Sequence, residues 1–329
     1  MECEEVRELT RSTGFRLAIG IQAVTAFLSV IASAVALRKS KQLHFHINCK
    51  ILMMSMLFLY IVHSIFLAVI QSIQLVLYIT SDDPCKILFT VATCFCFRLP
   101  TTACLLSFVA LQFAITVERM VALWKRCKYE EYGSRLGISL SAASVLISLV
   151  ATGWAASSEE FKDSVPYCAA ATARTADRVT LLCFYMCIIT LLTLIAIVAL
   201  FAFNKIAAKR KIFDLQSSYQ IRENATVIRI MLPLSIFQTT CYVVFSVSNG
   251  FISMFRERLS HVMYRTLWAS TYIIPIYTLI SPVLILFIIK WSQQLRAAKL
   301  KQLMNRCANE KDAYFRTYTQ MWNNHIRTL

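Results

Sequence analysis

Charged residues are scarce in this 329-residue sequence, where Asp, Glu, Lys and Arg fill only 16% of the positions and hydrophobic residues fill 57%. Soluble domains usually carry about a quarter charged residues. We therefore expect most of the surface to face lipid and no segment to form a separate soluble domain. The net charge of +16 does not indicate nucleic-acid binding in so apolar a chain, because basic residues also flank membrane spans.

Ionisable side chains for catalysis are scarce in the long apolar stretches. No Asp lies in any of them, which excludes chemistry by paired aspartates, and no Lys does, which excludes a retinal Schiff base. Zinc and di-iron centres need clustered ligands, yet the chain has only five histidines, His44, His46, His63, His261 and His325. We expect no enzyme activity, no cofactor and no metal.

Seven apolar stretches are long enough to cross a bilayer, which takes roughly 20 helical residues. Helix is expected because an isolated strand leaves its backbone polar groups unpaired in lipid. The acidic start, Met1–Glu5, lacks the basic region of a cleavable signal peptide, so the first stretch is expected to be a span. The predicted fold is all-α, a seven-helix transmembrane bundle with spans at about 15–37, 51–78, 87–121, 136–154, 179–203, 228–248 and 267–289.

The distribution of Lys and Arg predicts the orientation. The loops and tail on the side of the carboxyl terminus hold 23 of these residues, and those on the side of the amino terminus hold 9. The richer side is expected to be cytoplasmic. Residues 1–14 are then extracellular, and residues 290–329 form a cytoplasmic tail.

Glu118 and Arg119 stand at the inner end of the third stretch, and Glu118 is the only acidic residue in the seven stretches. An acid–Arg pair at this place resembles the motif of rhodopsin-like G-protein-coupled receptors, where it helps to hold the inactive state. The resemblance implies that Arg119 is released toward a G protein on activation. The alternative is an interfacial pair that only anchors the helix.

Two prolines are candidate hinges, Pro233 in the sixth stretch and Pro282 in the seventh. Proline removes a backbone hydrogen bond and permits a kink. Ser281-Pro282 stands about where rhodopsin-like receptors carry Asn-Pro-x-x-Tyr, although Ser replaces the Asn and Ile285 the Tyr. Both can equally be ordinary prolines of membrane helices.

The rhodopsin-like resemblance also implies a disulfide between the outer third helix and the second outer loop. Cys168 is the loop candidate, Cys94 the favoured partner and Cys85 the alternative, with Cys3–Cys85 as a second bridge. Four cysteines allow three pairings, and the sequence does not choose among them.

The tail after Lys290 predicts a short amphipathic helix on the inner leaflet. Trp291, Leu295 and Ala298 recur at helical spacing, and basic residues stand among them. A neighbouring face carries Leu300, Leu303, Met304 and Cys307. Cys307 is either a palmitoylation site or a plain free cysteine.

A series of short elements resembles the nematode serpentine chemoreceptors of the Sra superfamily, most closely the Srab family. The elements, in chain order, are Cys3-Glu4-Glu5, His44-Phe45-His46, Asp83-Pro84-Cys85, Phe97-Arg98-Leu99-Pro100, Glu118-Arg119 and Tyr219-Gln220-Ile221-Arg222-Glu223-Asn224. The resemblance implies a chemosensory G-protein-coupled receptor in the plasma membrane of a sensory neuron. Its implied partners are a small-molecule ligand, a heterotrimeric G protein, the bilayer and a second receptor copy. Tyr219, Glu223 and Asn224 are then candidates for coupling, with helix capping as the alternative.

Arg98 is the strongest candidate for ligand recognition, since an arginine in a span is costly unless it reaches water, an acid or a ligand. It lies about 21 residues outward of Arg119, or roughly 31 Å along a helix. The alternative is a structural arginine that holds the outer loops. Other polar and aromatic candidates for the same cavity are Gln71, Gln74, Tyr185, Tyr242 and Tyr272.

A ligand-gated channel or transporter of the seven-helix type is the alternative function. Transporters usually show repeated halves and broken helices near the midplane, and seven unequal stretches show neither clearly. Seven-helix odorant channels have the opposite orientation, so the position of the termini distinguishes the two hypotheses.

Overall fold

A computed structural model describes residues 3–40, 46–81, 87, 89–125, 129, 133–161, 164–165, 167–168, 174–209, 215–255 and 258–327. Residues 1–285 form one compact unit and residues 286–329 a second. The elements in chain order are α1 (Cys3–Arg11), α2 (Thr13–Ser40), α3 (Ile47–Thr80), β1 (Phe89–Thr90), α4 (Val91–Trp124), α5 (Arg135–Ala156), β2 (Ser164–Val165), α6 (Ala176–Lys209), α7 (Leu215–Met254), α8 (His261–Ser270) and α9 (Ile274–Arg327).

Among the described residues, seven helical segments are long and apolar enough to span a membrane, which confirms the seven-helix prediction. They are Thr13–Ser40, Ile47–Thr80, Val91–Trp124, Arg135–Ala156, Ala176–Ala207, Asn224–Met254 and His261–Trp291. Most extend past the apolar stretches that the sequence shows, since helices continue into the interface. Many large apolar side chains face outward, including Phe27, Leu146 and Ile195, as lipid contact requires.

The end of the bundle that carries the amino terminus, called the outer end after its predicted orientation, is covered in part by α1. The helix α1 occupies part of the predicted amino-terminal tail, and its Leu9 packs in a cluster with Phe15, Tyr78 and Tyr167. Arg16 donates to the carbonyls of Thr10 (2.5 Å) and Tyr78 (2.8 Å). These contacts fix α1 over the ends of α2 and α3.

The second outer loop is attached to the start of α4 in two ways. Strands β1 and β2 pair antiparallel, with Phe89 opposite Val165. Cys94 and Cys168 form a disulfide with their Cα atoms 5.1 Å apart, which is the pairing favoured above. Cys85 and the side chain of Cys3 lie outside the described residues.

Replacing Cys168 by Ser is expected to lower the free energy of unfolding by about 2–5 kcal/mol, because the bridge closes a long loop over a sequence separation of 74 residues. Thermal unfolding and surface delivery measure the effect. Cys96→Ser is the matched control, since Cys96 is free and exposed on the same helix. Equal melting temperatures for the two variants would remove the structural role of the bridge.

The seventh span is interrupted near its outer end and not at the predicted hinge. The helix stops at Ser270 and resumes at Ile274, while Pro282 lies within continuous α9. Pro275 explains the break, because it has no N–H for the Thr271 carbonyl and disfavours helix in the residue before it. Pro233 likewise lies within a helix, α7. The interruption lies beside the cavity described below, which Tyr272 lines.

At the inner end, α5 approaches α3 closely at Gly137. The Gly137 N–H donates to Asn48 Oδ1 (2.9 Å), and a Cβ atom on Gly137 would lie 2.7 Å from the Cα of Asn48. Only glycine permits this approach.

Gly137→Ala is expected to destabilise the protein by about 1–3 kcal/mol, because overpacking must push the two backbones apart. Gly153→Ala is the control on the same helix, since a Cβ there meets no atom within 4 Å. It should be neutral or slightly stabilising, as alanine is the better helix former. Thermal unfolding of both variants in the same detergent makes the comparison. An unchanged melting temperature for Gly137→Ala would contradict the close approach.

The second unit, residues 286–329, is helical up to Arg327 as part of α9. A helix after span seven was predicted, and the structure makes it longer than predicted. Cys307 is exposed and free on it.

Candidate ligand cavity and inner ion pair

A cavity of about 100 Å³ lies in the outer half of the bundle. Its walls come from α2, α3, α4, α6, α7 and α8, and Tyr167 of the second outer loop also lines it. The polar and aromatic side chains that line it include Gln22, Gln71, Arg98, Arg265, Trp268 and Tyr272. The cavity thus lies beneath the disulfide-bonded loop and beside the interruption of the seventh span.

Arg98 brings an unsatisfied cation to this cavity. Its Nε and Nη1 atoms are buried and have no hydrogen-bond partner among the described residues. Arg265 lines the same cavity, and no acidic residue is among the described residues that line it. Buried donors are almost always paired, and a buried charge without a partner is costly. The cavity is therefore complementary to a group that accepts hydrogen bonds and carries negative charge.

A short chain of amides forms another wall. Gln71 Nε2 donates to Gln22 Oε1 (2.5 Å), and Gln22 Nε2 donates to the carbonyl of Ala269 (2.6 Å). This chain links α3 through α2 to the end of α8. Gln71 Oε1 and Trp268 Nε1 are left without partners within the part of the chain that the structure describes, which adds one acceptor and one donor to the site.

The six ligand candidates predicted from the sequence lie in different places relative to the cavity. Arg98, Gln71 and Tyr272 line the cavity. Tyr242 is buried beneath it and donates to the Leu105 carbonyl (2.7 Å). Gln74 is fully buried but is not among the described lining residues.

Tyr185 requires a correction, because it is 54% exposed on the outer surface of α6. The residues of that helix that line the cavity are Ala176, Val179, Leu182, Cys183 and Met186. Tyr185 lies about 200° around the helix from Cys183, so it faces lipid.

Gln22, Tyr167, Arg265 and Trp268 are among the lining residues that were not identified from the sequence. Gln22 had a usable signal, since it is a polar residue in the middle of an apolar stretch. Arg265 and Trp268 precede the predicted seventh span or open it, so only the tertiary structure shows that they point inward.

A cluster of aromatic side chains extends from the cavity toward the middle of the bundle. The Tyr272 hydroxyl is 3.1 Å from His63 Nε2, and the rings of His63 and Phe108 are 5.8 Å apart. Phe108 contacts Tyr60 at 4.7 Å between ring centroids. The Tyr60 and Tyr277 hydroxyls are hydrogen-bonded at 2.7 Å. Residues of α3, α4 and the seventh span therefore meet in one packed unit below the cavity.

At the inner end of α4, Glu118 and Arg119 form a buried, two-pronged ion pair. Arg119 Nε donates to Glu118 Oε2 at 2.5 Å, and Nη2 donates to Oε1. The side chains are 0% and 2% exposed, so Arg119 is inaccessible to a protein partner in this conformation.

Tyr129, in the loop between α4 and α5, closes over this pair. Its hydroxyl donates to Glu118 Oε1 and accepts from Asn48 Nδ2 (3.3 Å). Burial, together with the Glu118 carboxylate, raises the pKa of Tyr129, which keeps the phenol protonated as a donor. Neither Tyr129 nor Asn48 was identified from the sequence.

Asn224 reaches the same region from α7. Its Nδ2 donates to the Arg119 carbonyl (3.5 Å) and to Asn204 Oδ1 (3.4 Å). The side chains of Tyr219 and Glu223, the other two coupling candidates, lie outside the described residues. Residues from α3, α4, α6 and α7 thus converge on the inner end.

The comparisons with known proteins agree with this architecture. A family model described as serpentine type 7TM GPCR receptor class ab chemoreceptor matches residues 1–323. Serpentine receptor class alpha-10 of Caenorhabditis elegans is 23% identical, with 97% of this chain and 96% of that receptor covered. Serpentine receptor class beta-17 of the same nematode is 22% identical, with 82% and 75% covered. Class alpha/beta-14 is 23% identical, with 81% and 70% covered. Because the family model spans nearly the whole chain, this multi-pass membrane protein belongs to the serpentine class ab family of seven-transmembrane chemoreceptors.

Proposed function

We propose that this chain is a chemosensory receptor that binds a small anionic ligand around Arg98 and activates a heterotrimeric G protein through Arg119. The observation that carries the proposal is the buried guanidinium of Arg98, with two nitrogens unpartnered within the described residues and facing a cavity. A ligand carboxylate supplies the missing acceptors and charge in one bidentate contact.

The cavity also limits the size of the ligand. A cavity of about 150 Å³ holds benzene, and this one encloses about 100 Å³. A short aliphatic acid fits this space. Gln71 Oε1 and Trp268 Nε1 can pair with a second polar group, such as a hydroxyl or carbonyl.

Activation requires a change at the inner end, because Arg119 is inaccessible as the structure stands. We propose that a ligand in the cavity shifts Tyr272 and the aromatic cluster below it, and that α7 moves with them. Two hydrogen bonds connect α7 to α4 in this region: Tyr242 to the Leu105 carbonyl, and Gln238 Nε2 to the Phe108 carbonyl (3.2 Å). The movement separates Asn224 and Tyr129 from the ion pair and exposes Arg119 to the G protein.

The proposal places the amino terminus outside the plasma membrane of a sensory neuron and the carboxyl terminus in the cytoplasm. An epitope tag before Cys3 is expected to be labelled on unpermeabilised cells, and a tag after Leu329 only after permeabilisation. The opposite result would favour the channel alternative.

Calcium imaging of cells that express the receptor tests the ligand class. The compounds are small carboxylic acids, each paired with its methyl ester, which has nearly the same shape but no charge. We expect responses to one or more acids and weak or no response to the corresponding esters. Equal potency of acid and ester would contradict an anionic ligand.

A further inference from the structure

The tail helix carries an arrangement that the receptor function does not use. From Lys290 to Asn309 the chain has five basic residues, Lys290, Arg296, Lys299, Lys301 and Arg306, and no acidic one. Three large apolar side chains in this segment, Trp291, Leu300 and Met304, are 51%, 61% and 64% exposed. A basic helix with apolar anchors is typical of segments that bind either a membrane surface or a calmodulin-like protein.

The angular positions of the anchors decide between these partners. At about 100° per residue, Ala298 lies within about 20° of Trp291 around the helix. Leu300 and Met304 lie about 180° and 220° from Trp291, on the opposite side. The two apolar faces were predicted to be neighbours, and these angles show that they are instead opposed.

A membrane surface cannot bury two apolar faces that lie on opposite sides of one helix. A helix on a membrane surface buries one apolar side and leaves a polar side in water. Trp291 is the last residue of the seventh span and lies at the membrane boundary, and any orientation that keeps its side of the helix against lipid leaves Leu300 and Met304 in water. The basic residues do not mark a single polar side of the helix either, because Lys290 and Lys301 lie on a different side from Arg296.

A two-lobed protein that closes around the helix can satisfy both faces. Trp291 and Met304 are about 20 Å apart along the axis, far enough for each to enter a separate groove. Calcium loading of calmodulin-type sensors opens Met-rich apolar grooves, which take amphipathic helices by their apolar anchors. An acidic sensor of this kind is also complementary to the five basic residues.

We propose that residues 290–307 are a binding site for a calcium-loaded, acidic, two-lobed sensor of the calmodulin type. Trp291 anchors one lobe and Met304 the other. The site depends on the cytoplasmic position of the tail, where such sensors occur, and it does not require a ligand in the outer cavity.

Binding of fluorescently labelled calmodulin to the full-length receptor in nanodiscs that contain phosphatidylserine tests this site. We expect saturable binding with calcium and none with a calcium chelator. Trp291→Ala and Met304→Gln should each weaken binding by about tenfold or more, as expected for buried anchors. Phe315→Ala is the control, because Phe315 is 54% exposed on the same helix outside the segment.

Three results would overturn the proposal. The first is the absence of calcium-dependent binding. The second is binding that neither anchor variant weakens relative to Phe315→Ala. The third is binding in phosphatidylcholine nanodiscs that phosphatidylserine abolishes, which would assign the tail to the membrane surface. None of these measurements involves a chemical ligand or a G protein, so their outcome is independent of the proposed receptor function.

Discussion

Arg119→Ala is expected to abolish ligand-dependent signalling while surface delivery stays near normal. Arg119 is the buried cation at the inner end of α4, and the proposed active state presents it to the G protein. Glu118→Gln should act in the opposite direction and raise the basal signal. It removes the charge that holds Arg119 and leaves a weaker neutral hydrogen bond. Tyr129→Phe removes one hydrogen bond to Glu118 and should raise the basal signal less.

The measurement is receptor-dependent G-protein signalling, with and without ligand, normalised to surface protein. Arg135→Ala is the control, because Arg135 is an exposed basic residue near the same end of the bundle. Removing one partner of a buried ion pair can cost about 3–5 kcal/mol of stability, so thermal unfolding must accompany the signalling data. A Glu118→Gln receptor with normal surface level and unchanged basal signal would assign the pair to anchoring alone.

Arg98→Gln is expected to reduce agonist potency by about one to two orders of magnitude. A hydrogen bond to a charged group contributes about 1.5–3 kcal/mol, and each 1.4 kcal/mol changes a binding constant tenfold. Arg98→Lys should give an intermediate loss, because lysine keeps the charge but not the bidentate geometry. Neither substitution should destabilise the protein much, since Nε and Nη1 of Arg98 have no partner among the described residues.

Dose–response curves for an active acid measure this effect at matched surface expression. Arg178→Gln is the control, because Arg178 also belongs to the outer end but bonds to Ser157 Oγ (2.6 Å) and does not line the cavity. Unchanged potency for Arg98→Gln would return this arginine to a structural role. Loss of surface protein without a change in potency would lead to the same conclusion.

The sequence predicted the helices well and their irregularities poorly. The spans follow from apolar length alone, because lipid requires a helix wherever about 20 apolar residues occur. The interruption at Thr271–Ile273 was not predicted, because the place of Pro282 at the Asn-Pro-x-x-Tyr position made it the candidate hinge of the seventh stretch. Pro275 was the available signal, since proline is unfavourable at that point of a helix and restricts the residue before it.

The sequence predicted only those site residues whose chemistry is unusual in an apolar stretch. Arg98 and Glu118 stand out because a charge in an apolar stretch needs an explanation. The sequence could not predict which way the Tyr185 side chain points, because α6 is apolar on every side and gives no amphipathic pattern. Tyr129 and Tyr167 lie in loops, where only the fold brings them to the ion pair and the cavity.

The most direct test of the central claim is nucleotide exchange on a heterotrimeric G protein, measured with purified receptor in nanodiscs and an acid that is active in cells. The account predicts that the acid accelerates exchange with the wild-type receptor. Arg98→Gln should shift the response to about tenfold or higher acid concentration, and Arg119→Ala should show no acceleration at any concentration. Equal acceleration by the wild-type and Arg98→Gln receptors, or acceleration that persists in Arg119→Ala, would contradict the account.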